Sequence, residues 1–442
     1  MKTNYKKNSI TLLGGIAMGT GVMIGAGIFA LTGQIAELAG PWFPLSFIAG
    51  AIVTAFSAYT YIKMSNAYPS AGGIAMILKK AYGPGAIAAA ASLLMALSMV
   101  INESLVARTF GTYVLRPFDL GDSTFWTPVL GVTLIFVAFL INISGNRSVG
   151  LFSLIMAAVK IGGIALFGAA ALWAGGFSFE PAASDQAAMP MAGFIASMAL
   201  SILAFKGFTT ITNSGAEMVD PHKNVGRTII ISILICVVVY LLVAFAVGSS
   251  LTLSQIIEAK DYSLARAAEP ALGAAGFYFT ILLAAVATAS GLLASIFAVS
   301  RMLAMLTEMK MIPHRHFGMP GPIQKHTLVY TVVVAAFLTI FFDLSRIASL
   351  GVFFYLVMDI LIHFGVFRTL RHDIKAKGWI LITAMVLDGI VLIVFAGMKL
   401  RSDPGIVLIA IAAIGAVFIY ERFFLSQWTV RDDTENATDP SA

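Results

Sequence analysis

Two glycine-interrupted apolar segments and a few ionisable residues set inside other apolar segments concentrate the chemistry this sequence could do. The first segment reads GTGVMIGAGIF, Gly19 to Phe29, with Gly19, Gly21, Gly25 and Gly27 within nine residues. Glycine costs about 1 kcal/mol per helical position relative to alanine, so four of them predict an unwound stretch or very close helix packing. The second reads SILAFKGFTTITNSGAE, Ser201 to Glu217, where Gly207 sits beside Lys206 and a run of Thr and Ser. A half-helix N-terminus offers N–H donors and a positive dipole end to an anion. A half-helix C-terminus offers carbonyls to a cation. Two such breaks suit a zwitterion with no side-chain charge at all. Unwound backbone at membrane depth must face protein or a water-filled cavity, and paired breaks in matching halves of a chain point to a transporter binding site.

The ionisable residues each carry two readings. Lys160, in LIMAAVKIGGIALF, lies about twelve residues into its apolar span; snorkelling to an interface is strained at that depth, and intramembrane charges are functional candidates by default. Lys206 either contacts substrate beside the second break or pairs with Glu103 of SMVINESLVAR, since an unpaired buried charge is costly. Glu217 is a candidate gate residue or a solvated helix end. Asp359 and His363 are an i,i+4 pair, a proton relay or a structural contact. His314 and His316 read as solvated loop residues, and Asp388 stands outside both broken units as a candidate oligomer contact. Most of the 20 methionines, Met95, Met99 and Met156 among them, read as packing. Phe29, Phe205 and Phe208 flank the breaks as candidate cavity walls.

The elements that must position these residues follow from composition. Of 442 residues, 59% are hydrophobic and 11% charged, with mean hydropathy +0.91. A soluble chain carries roughly 25% charged residues, so a lipid-facing exterior is the simpler account. Twelve apolar segments are expected, at about 10–34, 42–65, 86–115, 124–142, 148–175, 191–215, 226–250, 273–305, 327–342, 346–367, 379–398 and 404–425. With the N-terminus in the cytoplasm, 19 of the 28 Lys and Arg fall at cytoplasmic ends, 7 at outer ends, and Lys160 and Lys206 inside spans. That bias supports twelve spans with both termini inside. The net charge of +6 is therefore topological and does not suggest nucleic acid. The first apolar run lacks the short core and cleavage site of a signal peptide. The lone Cys236 cannot form an intrachain disulfide, no Cys/His cluster suggests a metal, and the acidic tail, 426–442, is expected to be disordered.

An ordered set of landmarks gives a family resemblance. Gly25-Ala26-Gly27-Ile28-Phe29 in helix 1, Pro69-Ser70-Ala71-Gly72-Gly73 after helix 2, Phe205-Lys206-Gly207-Phe208 then Ala216-Glu217 and Asp220-Pro221 in and after helix 6, and Ser300-Arg301 through Ile312-Pro313 after helix 8 occur in sequence. The chain thus resembles the amino acid–polyamine–organocation (APC) superfamily, in its amino-acid permease branch. The resemblance implies an all-α, leucine-transporter-like fold. Two inverted five-helix repeats (1–175 and 191–367) carry broken helices 1 and 6, with helices 11 and 12 (379–425) added. It implies that a substrate carboxylate is held by amides around Ile24, Gly25, Ala26 and Gly27. Carbonyls around Gly21, Val22 and Met23, and from Ala204 to Lys206, would hold the amino group. It also resembles a proton-coupled subset with a lysine at the place of Lys160, where relatives bind sodium; Ser290 and Ser295 are its candidate neighbours. Lys206 departs from the usual uncharged residue before Gly207, which puts broad neutral-amino-acid specificity in doubt.

The expected function is therefore a secondary amino-acid transporter in a bacterial or archaeal plasma membrane. It would be driven by protons or by exchange, need no cofactor, and leave room for a homodimer. Nucleotide loops, HExxH and GxSxG are absent from the sequence, which argues against a membrane enzyme. Two deep lysines argue against a cation channel. Export, or transport of another small organic solute on the same scaffold, remains the alternative.

Overall fold

The computed structural model describes residues 8–70, 72–144, 149–176, 191–309, 311 and 323–437. Among these the secondary structure is helical, apart from one isolated parallel bridge between Ile10 and Met218. Eleven helical stretches are long and apolar enough to cross a membrane, and Lys325–Phe341 adds a shorter apolar one. We number the twelve long helices α1 (Leu12–Met23, resuming at Ala26–Phe29), α2 (Phe43–Ala67), α3 (Ala86–Leu115), α4 (Trp126–Ser144), α5 (Val149–Ala174) and α6 (Met191–Phe205, continued to Thr212). The rest are α7 (Pro221–Ser250), α8 (Ser263–Glu308), α9 (Ile323–Phe341), α10 (Leu344–Gly365), α11 (Gly378–Ser402) and α12 (Pro404–Ala437). Short helices at Thr32–Ala39, Gly73–Tyr82 and Leu253–Glu258 cap the bundle.

The helices form where the sequence is continuously apolar, and their ends follow local chemistry. The link between α9 and α10 is a true boundary: Asp343 caps α10, its carboxylate accepting from the Arg346 amide at 2.8 Å. α8 begins ten residues before the expected 273, because the chain is helical on both sides of a kink at Gly273, whose φ is +66°. α12 continues past 425 to Ala437, so the segment expected as a disordered tail begins on helix; no glycine or proline stands between Gly415 and Pro440 to end it. The His314, His316 and Ile312-Pro313 expectations lie outside the described residues.

Lipid-facing and protein-facing sides separate cleanly. On α11 the exposed Ile382, Val386, Ile390 and Ile393 recur every three or four residues, and the buried Leu381, Ala384, Asp388, Val391 and Phe395 occupy the other face. Inside the bundle α3 packs on α8, α2 on α7 and α4 on α9, while α1 lies against α5 and α7, and α6 against α2. The α2–α6 contact is close enough for the Ser46 and Ser197 hydroxyls to meet at 2.7 Å, the small-residue packing expected where lipid supplies no hydrophobic drive. Cys236 is buried in the core, not lipid-facing.

One end of the bundle is clasped by charged groups on the caps. Lys260 Nζ meets Glu37 Oε1 at 2.8 Å, and Gln34 Nε2 donates to Asp261 Oδ1 at 3.4 Å. The Arg116 guanidinium lies 3.5 Å from the centre of the Tyr262 ring. Burial pushes the Asp261 carboxyl up from 3.8 to about 6, against the opposing pull of Lys260. A carboxyl raised in the fold contributes stability that is complete below its unfolded value and lost as pH rises through the folded one. The thermal stability of the wild type should therefore fall relative to Asp261→Asn as pH is raised from 4 to 7. A melting curve of both proteins across that window checks this, and parallel curves would contradict it.

Candidate functional site

The site is built where the two interruptions touch. α1 leaves helical geometry at Ile24 (φ −81°, ψ 85°). The Ile24 amide donates to Thr20 O at 2.7 Å and the Gly25 amide to Met23 O at 3.0 Å. Two of the four amides expected to face a carboxylate are thus used inside the break, and the second half-helix starts at Ala26. α6 is interrupted differently from the expected unwinding. Lys206–Phe208 tighten into a single 3₁₀ turn, and α-helix resumes at Thr209. The Thr209 hydroxyl donates back to Lys206 O at 2.9 Å, so the polar run after the glycine helps satisfy the turn.

Glycine is required here for approach rather than for unusual dihedrals. A Cβ on Gly207 would lie 2.7 Å from Met23 Cγ and 2.9 Å from its amide nitrogen; one on Gly27 would lie 3.0 Å from the Tyr240 hydroxyl and 3.1 Å from Ala204 O. The junction is pinned by Tyr240 of α7, whose hydroxyl sits 2.6 Å from Met23 O and 3.1 Å from Ala204 O. It therefore bridges the carbonyl ends of both half-helices, and its ring packs on Phe205 at 4.9 Å. Tyr113 of α3 donates to Phe29 O at 3.0 Å, holding the far side of the α1 break.

Beside the junction lies a cavity of about 20 Å³, lined by Val22, Met23, Gly27, Lys206 and Gly207 of the breaks. Met99 and Asn102 of α3, Leu203, Ala204, Thr209 and Thr210 of α6 and Ser295 of α8 complete it. Of the sequence-predicted set, Ile24, Gly25, Phe205, Phe208 and Glu103 do not line this cavity. The phenylalanines pack outward from it instead, Phe205 on Tyr240 and Phe208 on Tyr61. Asn102 and Tyr240 were missed. Asn102 could have been found beside Glu103 on α3; nothing local marks Tyr240, whose role comes from α7 crossing the break.

Lys160 of α5 is 2% exposed, which excludes snorkelling, and its Nζ donates to Gly21 O at 2.9 Å. The facing residue on α8 is Gly291, where a Cβ would lie 3.9 Å from Nζ, an ordinary contact. Ser290 and Ser295, its expected neighbours, are engaged elsewhere, with Val286 O at 2.7 Å and with Glu103 at 3.2 Å. Lys206 is also buried. Its Nζ donates to both Ser98 O and Ser98 Oγ at 2.8 Å and lies 5.8 Å from the centre of the Tyr355 ring. Lys206 and Glu103 therefore form no direct ion pair; Glu103 Oε1 accepts from Ser295, and Oε2 has no hydrogen-bond partner among the described residues.

At the end of the bundle opposite the Lys260 clasp, Glu217 forms an ion pair with Arg301 of α8. Glu217 is thus buried and paired rather than a solvated helix end. Asp359 and His363 share a face of α10 as expected. Asp388 is fully buried and points at His363, which rules it out as an oligomer contact.

The Amino acid permease family profile matches residues 10–428. The chain belongs to that family. It is a multi-span membrane transporter, not an enzyme. It is 30% identical over 384 residues to the inner membrane transport protein YbaT of Escherichia coli, covering 86% of this chain and 88% of that one. It is 21% identical to the serine/threonine exchanger SteT of Bacillus subtilis, with 85% of each chain covered. It is also 27% identical to a methylthioribose transporter of Bacillus subtilis, over 51% of this chain and 52% of the relative.

Removing the Tyr240 hydroxyl leaves two buried carbonyls without their shared donor. Tyr240→Phe should destabilise the protein by about 1–3 kcal/mol and slow transport, read as a lowered melting temperature in detergent and reduced uptake at equal membrane abundance. Gly207→Val should abolish uptake by forcing the breaks apart, whereas Gly21→Ala, with nothing within 4 Å of its Cβ position, should be far milder; equal loss in both would contradict the close-approach argument.

Proposed function

We propose that the protein carries an amino acid across the plasma membrane by alternating access, with Lys160 supplying the coupling charge. The observation that supports this most is the Lys160 amine bonded to Gly21 O, two residues before the α1 helix ends. A positive charge there compensates the carbonyl end of a half-helix. Losing its proton would withdraw that compensation and change the stability of the break, which is the differential interaction that coupling needs.

In this reading the two broken units are inverted repeats, both termini are cytoplasmic, and the described conformation is closed at both ends. The Glu217–Arg301 pair closes one side and the Lys260–Glu37 pair the other. The cavity of about 20 Å³ holds roughly one water, so an amino acid enters only if the breaks part. Its carboxylate would be met by the Ala26 and Gly27 amides, the first of a half-helix and so without helical partners. Its amino group would be met by carbonyls near Val22 and Met23. Lys206 on the wall disfavours a cationic side chain and favours a substrate that brings an acceptor for its amine. The likeness to a serine/threonine exchanger supports a second reading, exchange of one amino acid for another, and the likeness to a methylthioribose transporter keeps other organic solutes in play.

Uptake into proteoliposomes, with an imposed pH gradient or with preloaded amino acid, separates these. Lys160→Ala should lose pH-driven uptake by tenfold or more while keeping substrate-induced thermal stabilisation; undiminished pH-driven uptake would sink the coupling role. Lys206→Met should change which amino acids compete for binding. An unchanged competition profile with a lower melting temperature would make Lys206 a structural charge, held by Ser98.

A further inference from the structure

A buried polar cluster where α2, α10 and α11 meet is used by no part of the transport reading. Asp359, His363 and Asp388 are all fully buried. His363 Nε2 lies 3.5 Å from Asp359 Oδ2 and 3.6 Å from Asp388 Oδ2. These separations are too long for hydrogen bonds, and neither Nε2 nor either Asp388 oxygen has a hydrogen-bond partner. One oxygen from each aspartate and one ring nitrogen lie within 4.8 Å of one another. A carboxylate with no donor is among the most costly groups to leave in an apolar span.

Around these atoms the Tyr355 hydroxyl, beside Asp359 and Asp388, also has no hydrogen-bond partner, whereas Asp359 and His363 Nδ1 are provided for. Asp359 Oδ1 accepts from the Tyr61 hydroxyl at 2.5 Å, and Oδ2 from Ser57 at 2.6 Å. His363 Nδ1 is 2.8 Å from the Thr60 hydroxyl. In the tautomer whose Nδ1–H donates to Thr60, Nε2 turns its lone pair toward the two carboxylates. Three residues on one stretch of α2 thus orient the α10 groups, leaving Nε2 and the Asp388 carboxylate aimed at a common point.

We propose that Asp359, His363 and Asp388 form a binding site for one divalent transition-metal ion of the zinc class. Bonds of about 2.0–2.2 Å in a tetrahedron place ligand atoms about 3.3–3.6 Å apart, which is the spacing of Nε2 from its two carboxylate neighbours. A shared proton would instead draw a donor and acceptor to about 2.5–2.9 Å. Two carboxylates and a neutral imidazole balance a 2+ ion, so the bound site carries no net charge into a low-dielectric interior. The Thr60, Tyr61 and Ser57 contacts are the outer-shell partners that fix tautomer and carboxylate orientation at such sites. Nitrogen and oxygen donors without a thiolate suit zinc, cobalt or manganese better than a soft monovalent ion. The site adjoins the transport machinery: the Tyr61 ring packs edge-on against Phe208 at 5.3 Å. A bound ion would tie α10 to α11, with α2 held through its outer-shell contacts, behind the 3₁₀ turn of α6.

The test is metal content, which does not depend on transport or on its coupling ion. The full chain, purified in detergent through a tag without histidines, is stripped with chelator, exposed to zinc or cobalt, and freed of excess. About one metal per chain, with the ligand-field absorption of tetrahedral cobalt, is expected for the wild type, and less than about a tenth of that for Asp388→Asn and His363→Gln. Wild type that retains less than about a tenth of an equivalent overturns the proposal and leaves the cluster to a shared proton. Retention of the wild-type amount by Asp388→Asn overturns it as well. Should the variants fail to fold, the wild-type cobalt spectrum decides alone: tetrahedral bands support the site, and their absence overturns it.

Discussion

In hydrocarbon every backbone N–H and C=O must find a partner within the protein, and the architecture of this transporter is arranged around the two places where the helical ladder is interrupted. Neither interruption is left open. At α1 the amides of Ile24 and Gly25 fold back onto Thr20 and Met23. At α6 a 3₁₀ turn and the Thr209 hydroxyl take up the slack. The carbonyls that remain are gathered by a tyrosine from α7 and a lysine from α5. The surrounding helices thus serve as hydrogen-bond donors to a break they do not contain.

This explains why glycine is placed as it is. Gly27 and Gly207 are needed because another segment of the chain crowds the space where a Cβ would stand. Gly21 has open space, and the carbonyl it offers the Lys160 amine would be supplied by any residue, so crowding does not explain glycine there. Close approach is thus the demand that fixes Gly27 and Gly207, and charge compensation at residue 21 is met by backbone alone.

Much of this was legible in the sequence. Apolar run length located the twelve spans, because lipid imposes one length scale on all of them. The breaks announced themselves by glycine, and Lys160 by being a charge too deep to snorkel. What could not be read depends on which helices cross. Tyr240 lies 36 residues from Ala204 and 217 from Met23, and its hydroxyl has meaning only once α7 is laid over both. Lys206 bonds Ser98 rather than Glu103, five residues further along the same helix, a choice made by rotation of α3 and not by charge. Asp388 looked stray because α11 stands outside the two broken units; it faces a histidine on α10.

The backbone near the N-terminus carries a consequence for opening. Ser9 and Ile10 donate to Glu217 O at 2.9 and 3.0 Å, and Val219 donates to Ile10 O at 2.9 Å, directly beside the Glu217–Arg301 pair. Parting this end therefore means peeling a strip of paired backbone together with an ion pair, not rotating one side chain. Such a latch releases as a unit, because the Ser9–Ile10 backbone cannot leave Glu217 without giving up three hydrogen bonds beside the ion pair.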